Sequence, residues 1–129
     1  MSNSFNDLIK AGTIGYMKAD IILEADRDLY YISHIQKDFT ENRGIKDTEE
    51  ANNCTLIIVS ELISRGYCSL ATWGKEKGSF DKIILGQEEL LKLIARYNDS
   101  HTFPFDFFLI TTEKGKEWVA RYMQLLQEL

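Results

Sequence analysis

The sequence is poor in the residues that mark cross-linked or interrupted chains. It contains one proline, Pro104, and two cysteines, Cys54 and Cys68, which do not form a C-x-x-C pair. Two cysteines are too few for a disulfide framework, and the absence of Pro-rich or Gly-rich stretches argues against linkers. We therefore expect two reduced thiols and a single domain over residues 1–129. A domain of this size buries roughly two thirds of its unfolded surface and needs no disulfide or metal to fold.

Long apolar runs are also missing. Runs such as Leu56–Val59 and Phe107–Ile110 have four residues each, whereas roughly 20 are needed to span a bilayer. The first ten residues lack the basic start and apolar centre of a secretory signal. The sequence therefore predicts no membrane association and a cytoplasmic location.

Recognisable catalytic motifs are absent as well. The sequence has no G-x-S-x-G, Walker or G-x-G-x-x-G motif, and its two histidines, His34 and His101, belong to no metal-binding spacing. His34 and Asp38 have the i, i+4 spacing of a candidate acid–base pair. An ordinary surface or partly buried histidine is the more frequent explanation of such spacing. The sequence predicts no enzyme activity, no cofactor and no metal site.

The charge that is present is unevenly distributed. The net charge is −5, and residues 20–50 alone hold nine acids and four bases, a difference of −5. An acidic surface repels nucleic acid and anionic lipid and attracts basic protein surfaces; a solvated surface with acids at helix starts is the competing explanation. Acids at the start of a predicted helix at Asp47 serve that helix. The remaining acids are candidate contacts to a basic partner: Glu24, Asp26, Asp28, Asp38 and Glu41.

The apolar pattern predicts an α+β chain that is mostly helical. Capping residues and glycines give the helix boundaries. The first predicted helix begins at Ser4 and is interrupted by Gly12 and Gly15, and the second covers Leu29–Phe39 with Asp26 or Asp28 as its cap. The third runs from Asp47 to Arg65 and ends at Gly66. The fourth covers Gly86–Asn98, and the last is capped by Thr111 or Thr112.

Short β-prone segments separate these helices. They cover Tyr67–Trp73, Phe80–Leu85 and Phe105–Thr111, and they predict a small antiparallel sheet of two or three strands. Most aromatic residues should belong to the core. Trp73, beside Gly74 in a turn region, and Tyr31, off the apolar stripe of its helix, are the candidates for exposed anchors at an interface.

Two segments resemble the second half of a winged-helix domain. The first, Thr55–Leu70, reads TLIIVSELISRGYCSL, and the second, Phe107–Tyr122, reads FFLITTEKGKEWVARY. In that family a buried helix ends in a basic residue and a glycine, and a strand and a wing follow. A further strand, reading hydrophobic, Leu, Thr, Thr, x, x, Gly, then enters a helix. Here Arg65–Tyr67 and Leu109–Gly115 match these two signatures. The resemblance covers about half of the chain and implies a winged-helix-like fold with an inserted helix, because about 35 residues separate the two signatures.

The candidate recognition helix is unsuited to DNA. Its first turns carry Asp47, Glu49 and Glu50, and Asn52 and Asn53 are its only groups of the kind that read bases. A small acidic domain without catalytic residues is similar in class to the immunity proteins of toxin and contact-dependent growth-inhibition systems. That likeness implies a protein that binds and neutralises a cationic toxin domain, in some cases a nuclease; a winged-helix transcription regulator is the alternative.

Overall fold

The computed structural model describes residues 13–96 and 106–127. The helices along these ranges are α1 (Thr13–Arg27), α2 (Ile32–Glu41), α3 (Thr48–Ser64), α4 (Gln87–Arg96) and α5 (Glu113–Gln127), and the strands are β1 (Tyr30–Tyr31), β2 (Cys68–Trp73), β3 (Phe80–Ile83) and β4 (Phe107–Thr111). The α+β class with a predominance of helix is confirmed. None of the helices in these ranges is long and apolar enough to cross a membrane. The predicted helix from Ser4 and its interruption at Gly12 lie outside the described residues.

The strands form one antiparallel sheet in the order β1-β4-β2-β3. One row across it runs from Tyr31 to Phe108, then to Ala71 and to Lys82. Side chains alternate between the two faces of a strand, so this row shares the outer face, where Phe108 and Ala71 belong to a small apolar cluster. Leu109 and its neighbours in register point to the other face and join the main core with the helices.

Helix α3 lies at the centre of that core and packs against α2, α4 and β2. Ala51, Ile58, Val59 and Leu62 are each at most 1% exposed, because apolar residues recur on more than one side of the helix. The broad burial predicted for this helix is confirmed, but Ile57 is 63% exposed.

Three predicted helix boundaries are confirmed. The Asp47 carboxylate accepts a hydrogen bond from the Glu49 N–H at 3.2 Å and caps α3. Gly66 follows α3 with φ = 81°, a conformation that a Cβ disfavours. The Thr112 hydroxyl accepts from the Gly115 N–H at 3.1 Å and caps α5.

The helix predicted over Leu29–Phe39 is confirmed from Ile32 onwards, but its predicted start and caps are wrong. Tyr30 and Tyr31 form β1 and pair with Leu109 and Phe108, so the sheet has one strand more than the two or three expected. Helix α2 begins only at Ile32, with Tyr31 in extended conformation as its N-cap, and neither Asp26 nor Asp28 caps it. The interruption predicted at Gly15 is also wrong, because α1 runs through it; a glycine inside a helix costs about 1 kcal/mol and does not by itself end it.

The two segments that carry the winged-helix resemblance meet at one junction. The Thr112 hydroxyl donates to the carbonyl of Gly66, and the Thr112 N–H donates to the carbonyl of Tyr67 at 3.2 Å. The Lys114 ammonium lies 4.8 Å from the centre of the Tyr67 ring. A Cβ on Gly115 would come within 2.3 Å of the Tyr67 carbonyl oxygen. Glycine is therefore required where α5 crosses the chain between α3 and β2.

One polar pair is buried between α2 and α3. The Gln36 amide donates to the Asn52 side-chain oxygen at 2.5 Å and to the carbonyl of Ile94 at 3.5 Å. Gln36 is 5% and Asn52 8% exposed. Buried amides need such partners because a buried polar group without a hydrogen bond is costly.

Replacing Asn52 by alanine should lower the free energy of unfolding by about 1–3 kcal/mol, because it removes the hydrogen bond that the buried Gln36 amide donates to the Asn52 side chain. Asn53→Ala is the matched control, since Asn53 is exposed on the same helix and should change stability by about 0.5 kcal/mol or less. Urea unfolding followed by circular dichroism measures both. Equal stability of the two variants would show that the buried pair does not stabilise the fold.

Candidate functional site: an acidic cavity beside an aromatic patch

A surface cavity of about 250 Å³ lies along α2, from Tyr30 before the helix to Asn42 after it. We call it the acidic cavity; it is lined by Tyr30, His34, Lys37, Asp38, Glu41 and Asn42. The Asp38 carboxylate accepts from the Asn42 amide at 2.6 Å and from the Arg43 guanidinium at 3.1 Å. These contacts fix Asp38 in place, so the cavity has at least one ordered carboxylate at its rim.

Two acids of α1 add to the negative potential of the cavity. Burial raises the pKa of Tyr30, and the carboxylates of Asp38, Asp20 and Glu24 raise it further, whereas Arg43 lowers it. Burial likewise raises the pKa of Asp20; Arg43 opposes this rise, and Glu24 and Asp38 add to it. These pKa shifts show that carboxylates of both helices lie close enough to Tyr30 and to Asp20 to affect their ionisation. Acids from α1 and α2 therefore share one electrostatic field around Tyr30.

His34 connects this cavity to the outer face of the sheet. Its ring lies edge-on to Tyr30 at 6.0 Å and to Tyr31 at 5.4 Å, measured between ring centres. Burial lowers the pKa of His34, and Lys37 lowers it further. The imidazole is therefore mostly uncharged at neutral pH and acts there as a flat, weakly polar surface between the carboxylates and the rings.

The rings beyond His34 form what we call the aromatic patch: Tyr31, Trp73, Phe80 and Phe108. Phe108 is fully buried at its centre, 4.7 Å from Trp73, 6.1 Å from Tyr31 and 6.2 Å from Phe80 between ring centres. Trp73 and Phe80 are 45% and 48% exposed. Large, rigid and partly exposed aromatics of this kind are the residues that anchor protein interfaces.

The structure brings together most of the candidate contact residues. Asp38 and Glu41 line the acidic cavity, Glu24 acts on it from α1, and Tyr31 and Trp73 belong to the aromatic patch. Trp73 is exposed as predicted, whereas Tyr31 is half-buried.

Two of the candidate acids lie apart from this cavity. Asp26 accepts a hydrogen bond from Thr111 at 3.4 Å and lines a groove with Glu24 of α1 and with Val119 and Met123 of α5. Asp28 is exposed in the turn after α1. The residues predicted from the sequence for partner binding did not include Tyr30, His34 or Phe80. The one sequence signal that bears on them is the i, i+4 spacing of His34 and Asp38, two residues that line the same cavity.

The raised pKa values of the two cysteine thiols indicate a structural and not a reactive role. Burial raises the pKa of Cys68 to about 12, and burial followed by the Glu50 carboxylate raises the pKa of Cys54. Within residues 13–96 and 106–127, no three His, Cys, Asp or Glu side chains lie close enough together to hold a metal ion. Folding without metal stays a prediction, tested by elemental analysis and by melting with and without a chelator.

We expect iodoacetamide at pH 8 to modify Cys54 slowly and Cys68 hardly at all in the native chain. A pKa of about 12 leaves roughly one Cys68 side chain in 10,000 as the reactive thiolate at that pH. Mass spectrometry before and after addition of denaturant should show the second alkylation only on unfolding. Rapid native labelling of Cys68 would contradict its placement in the core.

The comparisons with known proteins add no relative. The chain matches no known protein family, no curated protein and no solved structure.

Proposed function

We propose that the chain is an immunity protein that binds and neutralises a cationic bacterial toxin domain. The observation that carries the proposal is the continuity of the acidic cavity with the aromatic patch through His34. The carboxylates of Glu24, Asp38 and Glu41 would draw in a basic partner, because complementary charge mainly raises the association rate. Trp73 would supply the desolvated anchor that slows dissociation. Catalysis is not required of any of these groups.

Co-expression tests this function. If a toxin gene lies directly upstream of the gene for this chain, the toxin domain encoded there should arrest growth, and the chain should restore it. A chain with Asp38→Asn and Glu41→Gln should protect less well, whereas Asp26→Asn, which lies in the other groove, should protect fully. Continued growth arrest with both proteins produced at equal levels would contradict the immunity function.

A winged-helix transcription regulator is the second candidate, and one observation favours it. Strands β2 and β4, which carry the two family-like signatures, are antiparallel neighbours with Cys68 opposite Thr111. Two strands that flank a wing would be arranged in this way, and β3 with α4 would then be an insertion into the wing. We propose a winged-helix-like fold on this basis, while a shared fold does not imply DNA binding.

The surface of α3 argues against a regulator. Its exposed first turn presents Glu49 and Glu50, and Asn52 is buried against Gln36. Arg65, just after the helix, is 3.1 Å from the Glu61 carboxylate. A helix that reads the major groove needs free donors and cations at this surface.

We therefore expect no binding of random or promoter duplex DNA at micromolar protein and physiological salt. The net charge of −5 opposes association with phosphates, and no cation lies within α3 to offset it. A gel-shift assay measures this. Salt-sensitive binding at micromolar concentration or below would replace the immunity function by the regulator.

A further inference from the structure

We propose that the aromatic patch accepts a segment of the partner in which a carboxylate lies beside an apolar or aromatic side chain. The partner surface would then be basic over the acidic cavity and acidic over Trp73 and Phe80. This inference rests on the proposed function and names the chemistry of a second part of the same interface. It depends on which charges share a face with the exposed rings.

Strand β3 places a lysine, and not an acid, beside these rings. Phe80 lies opposite Trp73, and Lys82 lies opposite Ala71. Because side chains alternate along a strand, Phe80 and Lys82 share the outer face, and Asp81 between them points to the other face. Cross-strand neighbours on one face lie close enough to contact a common ligand. The exposed apolar surface is therefore bordered by a cation.

Further lysines lie at the adjoining turn. Lys75 and Lys77 are exposed in the hairpin between Trp73 and Phe80, together with Glu76. Within the described ranges, neither these two lysines nor Lys82 forms an ion pair with a carboxylate. Their charge is thus available to a partner.

Asp106, the residue before β4, is already engaged. The Asp106 carboxylate is 3.8 Å from the Arg96 guanidinium, and its carbonyl accepts from the Thr72 hydroxyl at 2.8 Å. A carboxylate on the partner would therefore meet Lys82 with little competition from Asp106. A nucleic acid phosphate would meet the same lysine, but the net charge of −5 and the small number of cations beside the patch favour a short acidic protein segment over a long polyanion.

The test is a selection with a displayed library of random 12-residue peptides on the immobilised chain, with removal of peptides that also bind the Trp73→Ala variant. Enriched peptides should carry Asp or Glu within two positions of Trp, Phe or Leu. Reversing the charge at Lys82, with Lys82→Glu, should raise their Kd about tenfold, because it replaces an attraction between close opposite charges by a repulsion between like charges. Lys92→Glu is the matched control, since Lys92 is exposed on α4 and should leave the Kd unchanged.

Three results would overturn the inference: enrichment of Lys- and Arg-rich peptides, tighter binding by Lys82→Glu, or no peptide that depends on Trp73. Binding of a single-stranded oligonucleotide that Lys82→Glu abolishes would also overturn it, because the patch would then serve nucleic acid. A melting curve confirms that the Trp73→Ala chain is folded. Toxin neutralisation is measured separately. If the selection enriches acidic peptides but the chain does not neutralise the toxin, the proposed function is refuted. If the chain neutralises the toxin but the selection enriches basic peptides, only this inference is refuted.

Discussion

Replacing Gly115 by alanine is expected to destabilise the chain by about 2–4 kcal/mol and to lower its melting temperature by roughly 10 °C. The new Cβ would lie 2.3 Å from the carbonyl oxygen of Tyr67 and 3.3 Å from the Thr111 methyl group. Alanine would favour the helix by about 1 kcal/mol, which is smaller than the cost of forcing backbone against backbone. Helix α5 must therefore move away and weaken the hydrogen bonds of Thr112 to Gly66 and Tyr67.

Gly86→Ala is the control for this substitution. A Cβ at Gly86 would meet only the flexible end of Glu89 at 3.6 Å, so we expect a loss of less than about 1 kcal/mol, as for an ordinary change at a helix start. Thermal and urea unfolding of both variants measure the difference. Equal melting temperatures would show that the junction between the two family-like segments is not close-packed.

Neutralising Glu24, Asp38 and Glu41 together should slow association with the proposed toxin domain about 10- to 100-fold at low salt. These carboxylates act on the acidic cavity from α1 and α2, and their field is what would guide a basic surface towards the aromatic patch. The dissociation rate should change less, because Trp73 and Phe80 are untouched and lie on the sheet.

The controls for that variant make the same kind of substitution at acids that neither line the acidic cavity nor shift the pKa of Tyr30. Asp26→Asn removes a carboxylate from the groove beside α5, and Asp81→Asn removes one on the opposite face from Phe80. Both should leave the association rate within about twofold, since long-range screening limits the reach of exposed charges to about 8–10 Å. Circular dichroism confirms that each chain is folded, including the variant that removes the Asp38–Arg43 ion pair.

The sequence predicts those parts of the fold that depend on local chemistry. The cap at Asp47, the stop at Gly66 and the cap at Thr112 each follow from one or two neighbouring residues. Strand β1 could not be predicted in this way, because Tyr30 and Tyr31 become a strand only by pairing with residues almost 80 positions later. Tertiary pairing here overrides a helical spacing that continues into α2.

The candidate site likewise has features that follow from the local sequence and features that depend on tertiary structure. Exposure of Trp73 follows from the turn beside it, and the acidic segment follows from counting charges. Which acids share a cavity depends on the direction of each side chain around α1. Glu24 and Asp26 both line the groove beside α5, but Asp26 also accepts a hydrogen bond from Thr111, whereas Glu24 raises the pKa of Tyr30. A charge count cannot separate these two residues, because they differ in which distant residues their side chains approach.

The attraction of a basic partner by the acidic cavity is tested by the salt dependence of association with the proposed toxin domain. Stopped-flow measurement of the association rate for the unmodified chain, the triple variant at Glu24, Asp38 and Glu41, and the Asp26→Asn control should be made from low to high ionic strength. We expect the association rate to fall steeply with salt for the unmodified chain and the control and only slightly for the triple variant, so that the three rates converge at high salt. Identical salt slopes for all three folded chains would contradict the claim that the acidic cavity receives a basic partner.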